Sequence, residues 1–275
     1  MIRLSIVIVT WNTKQLILDC LNSIYSIKDY EVLKDELEVI VIDNASKDGT
    51  KEEIGKNFKN VKLIVNNENV GYAPGCNQGM RIAKGKCVLL LGSDTVLLDG
   101  SLIKSLEKLE SDDELGAVGC KLIFPDRREQ GNCKKFPTLK NAFYTYLSLD
   151  KMNYDYDMLW FNYDKEIYVD QIATTYLMAR KDILERINYF DEDYKILYND
   201  VDLCKKIWET GKKIKFIPDA VVIHHGSYST KKARIKIRTI MYKDILRYFY
   251  RNFGVAAVFL VPVLFFRLLV VSFLK

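Results

Sequence analysis

The chain opens on a continuous apolar run at residues 4–9 that breaks at Thr10-Trp11-Asn12. Runs of the same kind recur at 38–42, 61–65, 87–91 and 115–121. They carry β-branched residues and lack polar alternation, the signature of strands buried on both faces. Between them, residues 14–25, 50–57, 74–83 and 101–110 place apolar side chains at helical spacing. Strands alternating with helices predict an α/β fold, a mostly parallel sheet flanked by helices. Ligands bind such sheets beyond the carboxyl ends of the strands. The polar segments there, 10–12, 43–46, 66–71 and 93–95, are expected to converge on one crevice.

The pattern weakens over 124–168, where Phe143, Tyr144, Tyr146, Tyr154, Tyr156, Trp160 and Tyr163 crowd the sequence. A helical insertion or a mobile loop region is expected there. Residues 172–178 regain strand character. Residues 201–210 read as a helix that Gly211 stops, and 214–217 and 221–223 as two short strands around a Pro218-Asp219 turn. Residues 253–274 are apolar except for Arg267 and Ser272, and Pro262 interrupts them. A spanning helix needs roughly 20 apolar residues. Arg267 at a bilayer centre would cost about 2.5–3.5 kcal/mol, but near a helix end it would snorkel.

Charge changes the reading of this tail. Lys231, Lys232, Arg234, Lys236, Arg238, Lys243, Arg247 and Arg251 precede the apolar run, with Asp244 the one acid among them. A basic stretch beside an apolar one suits anionic lipid headgroups first and a solvated helix face second. Residues 1–230 are therefore expected to form the catalytic domain and 231–275 a membrane-associating tail, which spans the membrane or lies on it. Truncation after Thr230 is expected to leave the catalytic domain folded. No nucleic-acid partner is expected.

With 49% hydrophobic and 28% charged residues among 275, the chain can bury a sizeable core, and disorder is excluded. Six cysteines without a C-x-x-C pair argue against a structural zinc site. Met1 leads straight into the first strand pattern rather than a secretory leader. A reducing setting, at the cytoplasmic face of a membrane, is the expectation.

Candidate chemistry lies at the predicted strand ends. Asp94 is placed to hold a divalent cation against a diphosphate, or to cap a turn. Asp43 is placed to accept a hydrogen bond from a base or ribose, or to close an Asx-turn. Asp48-Gly49-Thr50 reads as a turn followed by a helix cap. In Asn199-Asp200-Val201-Asp202 one acid would cap the helix and the other act as a general base. His224-His225, the only two histidines, end the last predicted strand. A nicotinamide-dependent oxidoreductase would need a glycine-rich turn after the first strand. Val9-Thr10-Trp11-Asn12 has none.

The ordered series Ser5–Asn12, Val41-Ile42-Asp43-Asn44-Ala45-Ser46, Asn69-Val70-Gly71-Tyr72 with Asn77, and Leu89-Leu90-Leu91-Gly92-Ser93-Asp94-Thr95 resembles family 2 glycosyltransferases. Phe190-Asp191-Glu192, Asn199-Asp200-Val201-Asp202 and Pro218–His225 continue it, so the resemblance covers roughly residues 3–228 and is strongest to the rhamnosyltransferase-like branch. It implies a GT-A fold and inverting transfer of a sugar from a nucleotide donor to a saccharide or lipid-linked acceptor. It implies Asp200 as the general base, and Asp94 and His224 as contacts to Mg²⁺ or Mn²⁺. It implies a donor site including Thr10, Asn12, Asp43, Asn44, Gly71, Asn77, Ser93 and Asp94. Three positions depart from the pattern: Gly92 stands where the branch has Asn or Asp, Asn199 where it has Glu, and Thr174-Thr175 where relatives carry Gly. A catalytically inactive homologue that binds a sugar nucleotide or acts as a membrane scaffold is the alternative.

Overall fold

The computed structural model describes residues 1–226 and 235–273. Strands β1 (Leu4–Thr10), β2 (Leu37–Asp43), β3 (Val61–Val65) and β4 (Cys87–Gly92) alternate with helices α1 (Lys14–Ser26), α2 (Lys28–Leu33), α3 (Thr50–Asn57) and α4 (Tyr72–Ile82). These four strands pair in the order β3-β2-β1-β4, all parallel. Burial on both faces explains the apolar character of β1, β2 and β4, whereas the edge strand β3 is only partly buried and carries Lys62. Leu4, Ile6 and Ile8 of β1 face one core cluster and Val7 the other, while Leu89 and Leu91 of β4 divide from Val88 and Leu90 in the same way. α4 lies close on β1, because a Cβ at Gly79 would come within 2.4 Å of the Val7 side chain.

Beyond β4 the sheet becomes mixed. The short β5 (Thr95–Leu97) leads into α5 (Ser101–Ser111) and β6 (Leu115–Ile123). The chain then leaves β6 at its carboxyl end and returns to the sheet from that same end. Hence β11 (Tyr176–Arg180) runs antiparallel to both β4 and β6. The first four strands form the parallel part of the expected mostly parallel sheet, and β11 introduces the reversal. β12 (Lys213–His224) is parallel to β6 and antiparallel to β5. It is one strand of 12 residues, not two around a turn. Pro218, which has no N–H for the ladder, lies within the irregularity between Ile217 and Val221.

The aromatic stretch is ordered structure of small pieces: β7 (Glu129–Gln130), β8 (Cys133–Lys134), α6 (Leu139–Tyr146), a 3-10 turn (Asp150–Asn153), β9 (Ile167–Tyr168) and β10 (Gln171–Ile172). α6 starts at a capping box between Thr138 and Asn141. Helices α7 (Lys181–Arg186) and α8 (Asn199–Glu209) follow the return into the sheet. All six cysteines are buried free thiols.

The tail consists of α9 (Ile235–Phe253), a 3-10 turn (Gly254–Phe259) and α10 (Leu260–Phe273), with Pro262 in the first turn of α10, where a helix tolerates it. Ile237–Leu268 is long and apolar enough to cross a membrane by length and composition. It does not stand apart from the rest of the chain. Ile245, Tyr248, Phe249, Leu260 and Leu264 share one buried cluster with Ala142, Tyr194 and Val201. The expected boundary at residue 230 therefore does not separate two cores. Lys231, Lys232 and Arg234 lie outside the described residues, as does the side chain of Lys236. Arg247 and Arg251, about half exposed, pair across the surface with Asp193 at 2.6 Å and Asp191 at 2.8 Å. Arg267 donates to the Thr145 carbonyl at 2.7 Å and lies over the Tyr146 ring, so α6 holds it and snorkelling is not its solution. Val255, Val258, Phe259, Phe265 and Phe266 are exposed.

Candidate active site

The parallel strands end at a cleft of about 560 Å³. Thr10, at the end of β1, is buried, and its hydroxyl meets that of Thr13 at 2.8 Å. The chain then turns through Asn12, whose φ of 51° is left-handed, a conformation asparagine tolerates. Asn12 receives the Lys47 N–H on Oδ1 and donates its own N–H to Ser46 Oγ, both at 2.8 Å. The loops after β1 and β2 are therefore stitched together. Asn44 continues the seam, donating to the Gly71 carbonyl at 3.0 Å and accepting from Asn66. Gly71, with φ of 97°, adopts a backbone that favours glycine and starts α4, so that Asn69 and Tyr72 beside it reach the cleft.

Two expected donor contacts lie elsewhere. Asp43 is fully buried, and its carboxylate accepts the Ser46 N–H, the Asx-turn alternative. Asn77 is also fully buried on α4. It donates to the Phe190 carbonyl and to Glu192 Oε1 and accepts the Phe190 N–H at 3.0 Å, which brackets the 190s loop rather than lining the cleft. Conversely, the half-exposed Trp11, together with Thr13, Asn69 and Tyr72, joins Thr10, Asn12, Asn44, Ser93 and Asp94 in the wall. Trp11 had a legible signal: a large aromatic residue in the polar segment after a buried strand.

At the far wall, Asp94 Oδ2 lies 3.3 Å from His224 Nε2. Antiparallel pairing of β12 with β5 sets His224 opposite Thr95 and so beside Asp94. His224 Nδ1 lies 2.7 Å from Gln130 Oε1. A donated Nδ1–H there leaves the Nε2 lone pair facing a carboxylate, an arrangement that calls for a proton or a cation between them. Burial pushes the Asp94 carboxyl up, but the hydrogen bond and charge of His224 outweigh it and hold the group below its ordinary value. Among the described residues, no three His, Cys, Asp or Glu side chains converge on a metal-sized point. Asp94 and His224 thus fit an ion that takes its remaining ligands from diphosphate oxygens and water, the habit of Mg²⁺.

The departures at Gly92 and Thr175 are neighbours in space. Gly92 N–H donates to the Thr175 carbonyl at 2.9 Å. A Cβ at residue 92 would lie 3.1 Å from Asp94 Oδ1 and 3.4 Å from Thr175 Cγ2. The Thr175 methyl stands where a side chain at 92 would need room.

Asp200, half-buried in the first turn of α8, accepts the Val201 N–H at 2.9 Å. Burial raises its carboxyl above the ordinary value, against the opposing pull of that bond and of Lys134. Burial chiefly, with Asp200 among the lesser contributions, holds the Tyr72 hydroxyl well above its ordinary value. Asp202 faces the other way, toward Lys206 at 3.6 Å and Arg251 at 3.5 Å. The turn that delivers Asp200 is fixed from the tail. The buried Asp244 of α9 accepts the N–H groups of Lys195, Ile196 and Leu197 at 3.1, 2.7 and 2.9 Å. Sequence reading had assigned Asp244 only to a basic stretch.

A parallel half-sheet with this cleft at its strand ends, closed by a reversed strand, is the architecture of GT-A glycosyltransferases. Residues 5–187 match the profile of Glycosyl transferase family 2, more than half of the chain, and the protein belongs to that family, as a rhamnosyltransferase-like member. Among its relatives, the N-acetylglucosaminyl-diphospho-decaprenol L-rhamnosyltransferase of Mycobacterium tuberculosis is 22% identical, over 70% of this chain and 68% of its own. The O-antigen chain rhamnosyltransferase RfbN of Salmonella typhimurium is 26% identical, over 84% and 68%. Among solved structures, the mannosyltransferase PcManGT from Pyrobaculum calidifontis, in complex with GDP-Man and Mn²⁺, superposes with a TM-score of 0.62 at 19% identity, covering 98% of this chain and 75% of that one. S. aureus TarS 1–349 in complex with UDP-GlcNAc gives 0.61 at 19% identity, covering 90% and 67%. Both likenesses show the fold.

Proposed function

We propose that the protein is an inverting glycosyltransferase that moves a sugar from a nucleoside-diphosphate donor, dTDP-rhamnose or a UDP-sugar, to a saccharide or lipid-linked acceptor in cell-surface polysaccharide synthesis. The observation that carries this reading is the placement of Asp94 in the wall of the strand-end cleft with the His224 imidazole 3.3 Å behind it. The names of the M. tuberculosis and S. typhimurium relatives support the sugar and the pathway class.

In this reading Thr10, Asn12 and Asn44 hold the nucleoside end of the donor, with Trp11 beside it. Asp94 and His224 hold Mg²⁺ or Mn²⁺, which when bound offsets charge on the diphosphate. Asp200 takes the proton of the acceptor hydroxyl as that oxygen attacks the anomeric carbon. The raised affinity of Asp200 for a proton suits a base. Its elevation comes from burial, so the cost of ionisation is already met when the acceptor arrives.

The test is turnover. Purified full-length protein, Mn²⁺ and a panel of dTDP- and UDP-sugars are incubated with saccharide acceptors, and released nucleoside diphosphate and glycosylated product are measured. The reading predicts both. The Gly92 and Asn199 departures favour a second reading, an inactive homologue. Nucleotide binding without product from any donor would support it.

A further inference from the structure

The sheet brings one more side chain to the back of the site. After β6 the chain turns tightly and pairs with itself. Asp126 accepts the backbone N–H and the Nε–H of Arg128 at 3.1 and 2.8 Å, and the Phe124 N–H donates to the Arg128 carbonyl at 2.8 Å. The return strand β7 runs antiparallel to β6, with Gln130 opposite Leu122 and Glu129 opposite Ile123. Glu129 is tied to Lys121 at 2.8 Å. On the other edge of β6, β12 sets Val222 beside Leu122 and Ile223 beside Ile123. His224 stands one residue further on, where β6 has passed into the turn. There the Gln130 side chain meets it, with Oε1 2.7 Å from Nδ1.

The imidazole therefore lies between two oxygens, Gln130 Oε1 on one side and Asp94 Oδ2 on the other. The His224 side chain is only 15% exposed, so protein groups rather than bulk water decide where its hydrogen sits. An amide oxygen can only accept, so Nδ1 is the donor in its contact. Nε2 is then the nitrogen that can present a lone pair toward Asp94 while Nδ1–H stays bonded. With an apolar residue at 130, an Nδ1–H would be buried without an acceptor. The single hydrogen of the neutral ring would move to Nε2, where Asp94 accepts it, and Nε2 could no longer bind a cation.

We propose that Gln130 is a positioning residue: by accepting the Nδ1–H of His224 it keeps the Nε2 lone pair on the Asp94 side, free for the cation that meets the donor diphosphate. This rests on the transferase reading of the cleft. Outer partners of this kind fix the tautomer and orientation of metal-binding histidines. A purely structural role for Gln130, pinning the turn after β6 against β12, would leave both the tautomer and cation binding unmoved.

The ring nitrogens can be read directly. The chain has two histidines, His224 and His225, so full-length protein labelled with ¹⁵N-histidine gives two ring spin systems, and His225→Gln assigns them. Long-range proton–nitrogen spectra of the metal-free protein should show a hydrogen on Nδ1 of His224. In Gln130→Leu that nitrogen should lose its hydrogen and Nε2 should carry it. Gln130→Glu, which keeps an acceptor oxygen, should retain Nδ1–H. Titration with Mn²⁺ in the presence of UDP or dTDP, followed by electron paramagnetic resonance, gives the second reading. Affinity should be about 10–100-fold weaker in Gln130→Leu and near that of the wild type in Gln130→Glu. Where Gln130→Leu does not fold, Gln130→Ala carries both readings. A bare Nδ1 in the wild type, or a folded apolar variant that keeps Nδ1–H or wild-type Mn²⁺ affinity, overturns the assignment. Failure of the wild type to bind Mn²⁺ with either nucleotide overturns the cation reading of Asp94 and His224 instead, and the nitrogen spectra, which need no metal, tell the two failures apart.

Discussion

At the residue scale, Asp200 sets up a conflict between stability and chemistry. Its folded carboxyl takes a proton more readily than an unfolded aspartate because burial disfavours the charge. The folded state then binds more protons, so this group's contribution to stability falls as pH rises from the ordinary aspartate value through the raised one. Asp200→Asn removes that burden and keeps an oxygen for the Val201 N–H. The variant should melt higher than wild type at neutral pH and lose transfer by about two to four orders of magnitude, the scale of a general base. Calorimetry and product formation measure the two arms; a lower melting temperature would refute the burial argument. Activity should also fall on the acid side, above the ordinary carboxylate range, as Asp200 becomes protonated. Because Lys134 favours the ionised form, Lys134→Met should move that acid limb to higher pH. A second residue-scale expectation concerns Gly92. Gly92→Asp brings a side chain toward the Asp94 carboxylate and the Thr175 methyl, so it should weaken Mn²⁺-dependent UDP or dTDP binding. Adding Thr175→Gly should recover part of the loss. Independent, additive effects in calorimetric titration would show that the two positions do not interact.

Elements differ in how far the sequence announces them. β1, β2 and β4 are legible because burial on both faces leaves a mostly apolar run with polar residues at its end, and the edge strand β3 shows through its β-branched residues despite partial exposure. The cleft is legible for the same reason: Thr10, Asn12, Asn44 and Asp94 follow such runs directly. The reversal of β11 is not, because direction depends on where the chain re-enters the sheet, which no local pattern records. The continuity of β12 is hidden by Pro218, whose turn signal is real but is absorbed by a strand irregularity. Asp43 and Asn77 show the limit at the site. A polar residue after a strand or on a helix suits a ligand or the protein's own groups equally well, and only the fold reveals that the Ser46 N–H took Asp43 and that Phe190 and Glu192 took Asn77. Asp244 sits at the opposite extreme: its partners are three backbone groups 47–49 residues away, invisible to composition. It acts as a positioning residue for the turn that delivers Asp200. Asp244→Asn removes the charge and part of the acceptor capacity. We expect kcat to fall by up to about 10²-fold, the scale of a displacement near 1 Å, with the donor KM little changed. Parallel losses in kcat and donor affinity would point to general unfolding.

For the whole molecule, the packing of the tail revises the truncation expectation. Cutting after residue 230 would expose Ala142, Tyr194 and Val201 and leave the N–H groups of residues 195–197 without Asp244. Full burial of a side chain the size of Val201, or of Leu260 and Leu264 on the tail side, contributes about 1.5–3 kcal/mol each. The shortened chain should therefore aggregate or melt well below the full-length protein. A soluble product with an unchanged melting temperature would restore the two-part division. Membrane association is expected to rest on the exposed Val255, Val258, Phe259, Phe265 and Phe266 more than on Arg247 and Arg251, whose charges face Asp193 and Asp191. High salt should release the protein from anionic vesicles only in part, since salt screens charge and not apolar burial.

The grip of Asp244 on the loop before α8 has one more consequence, for engineering and for descent. A terminal helix that merely tethers an enzyme is interchangeable, and another protein's anchor can be grafted in its place. Here the apolar tail is also a strut under the turn that carries Asp200. A chimera carrying a foreign tail is expected to misplace Asp200, unless the graft brings an acid to the position of Asp244. Substitutions in residues 191–197 and in α9 are for the same reason expected to be coupled, so that a second change in one segment offsets a first in the other.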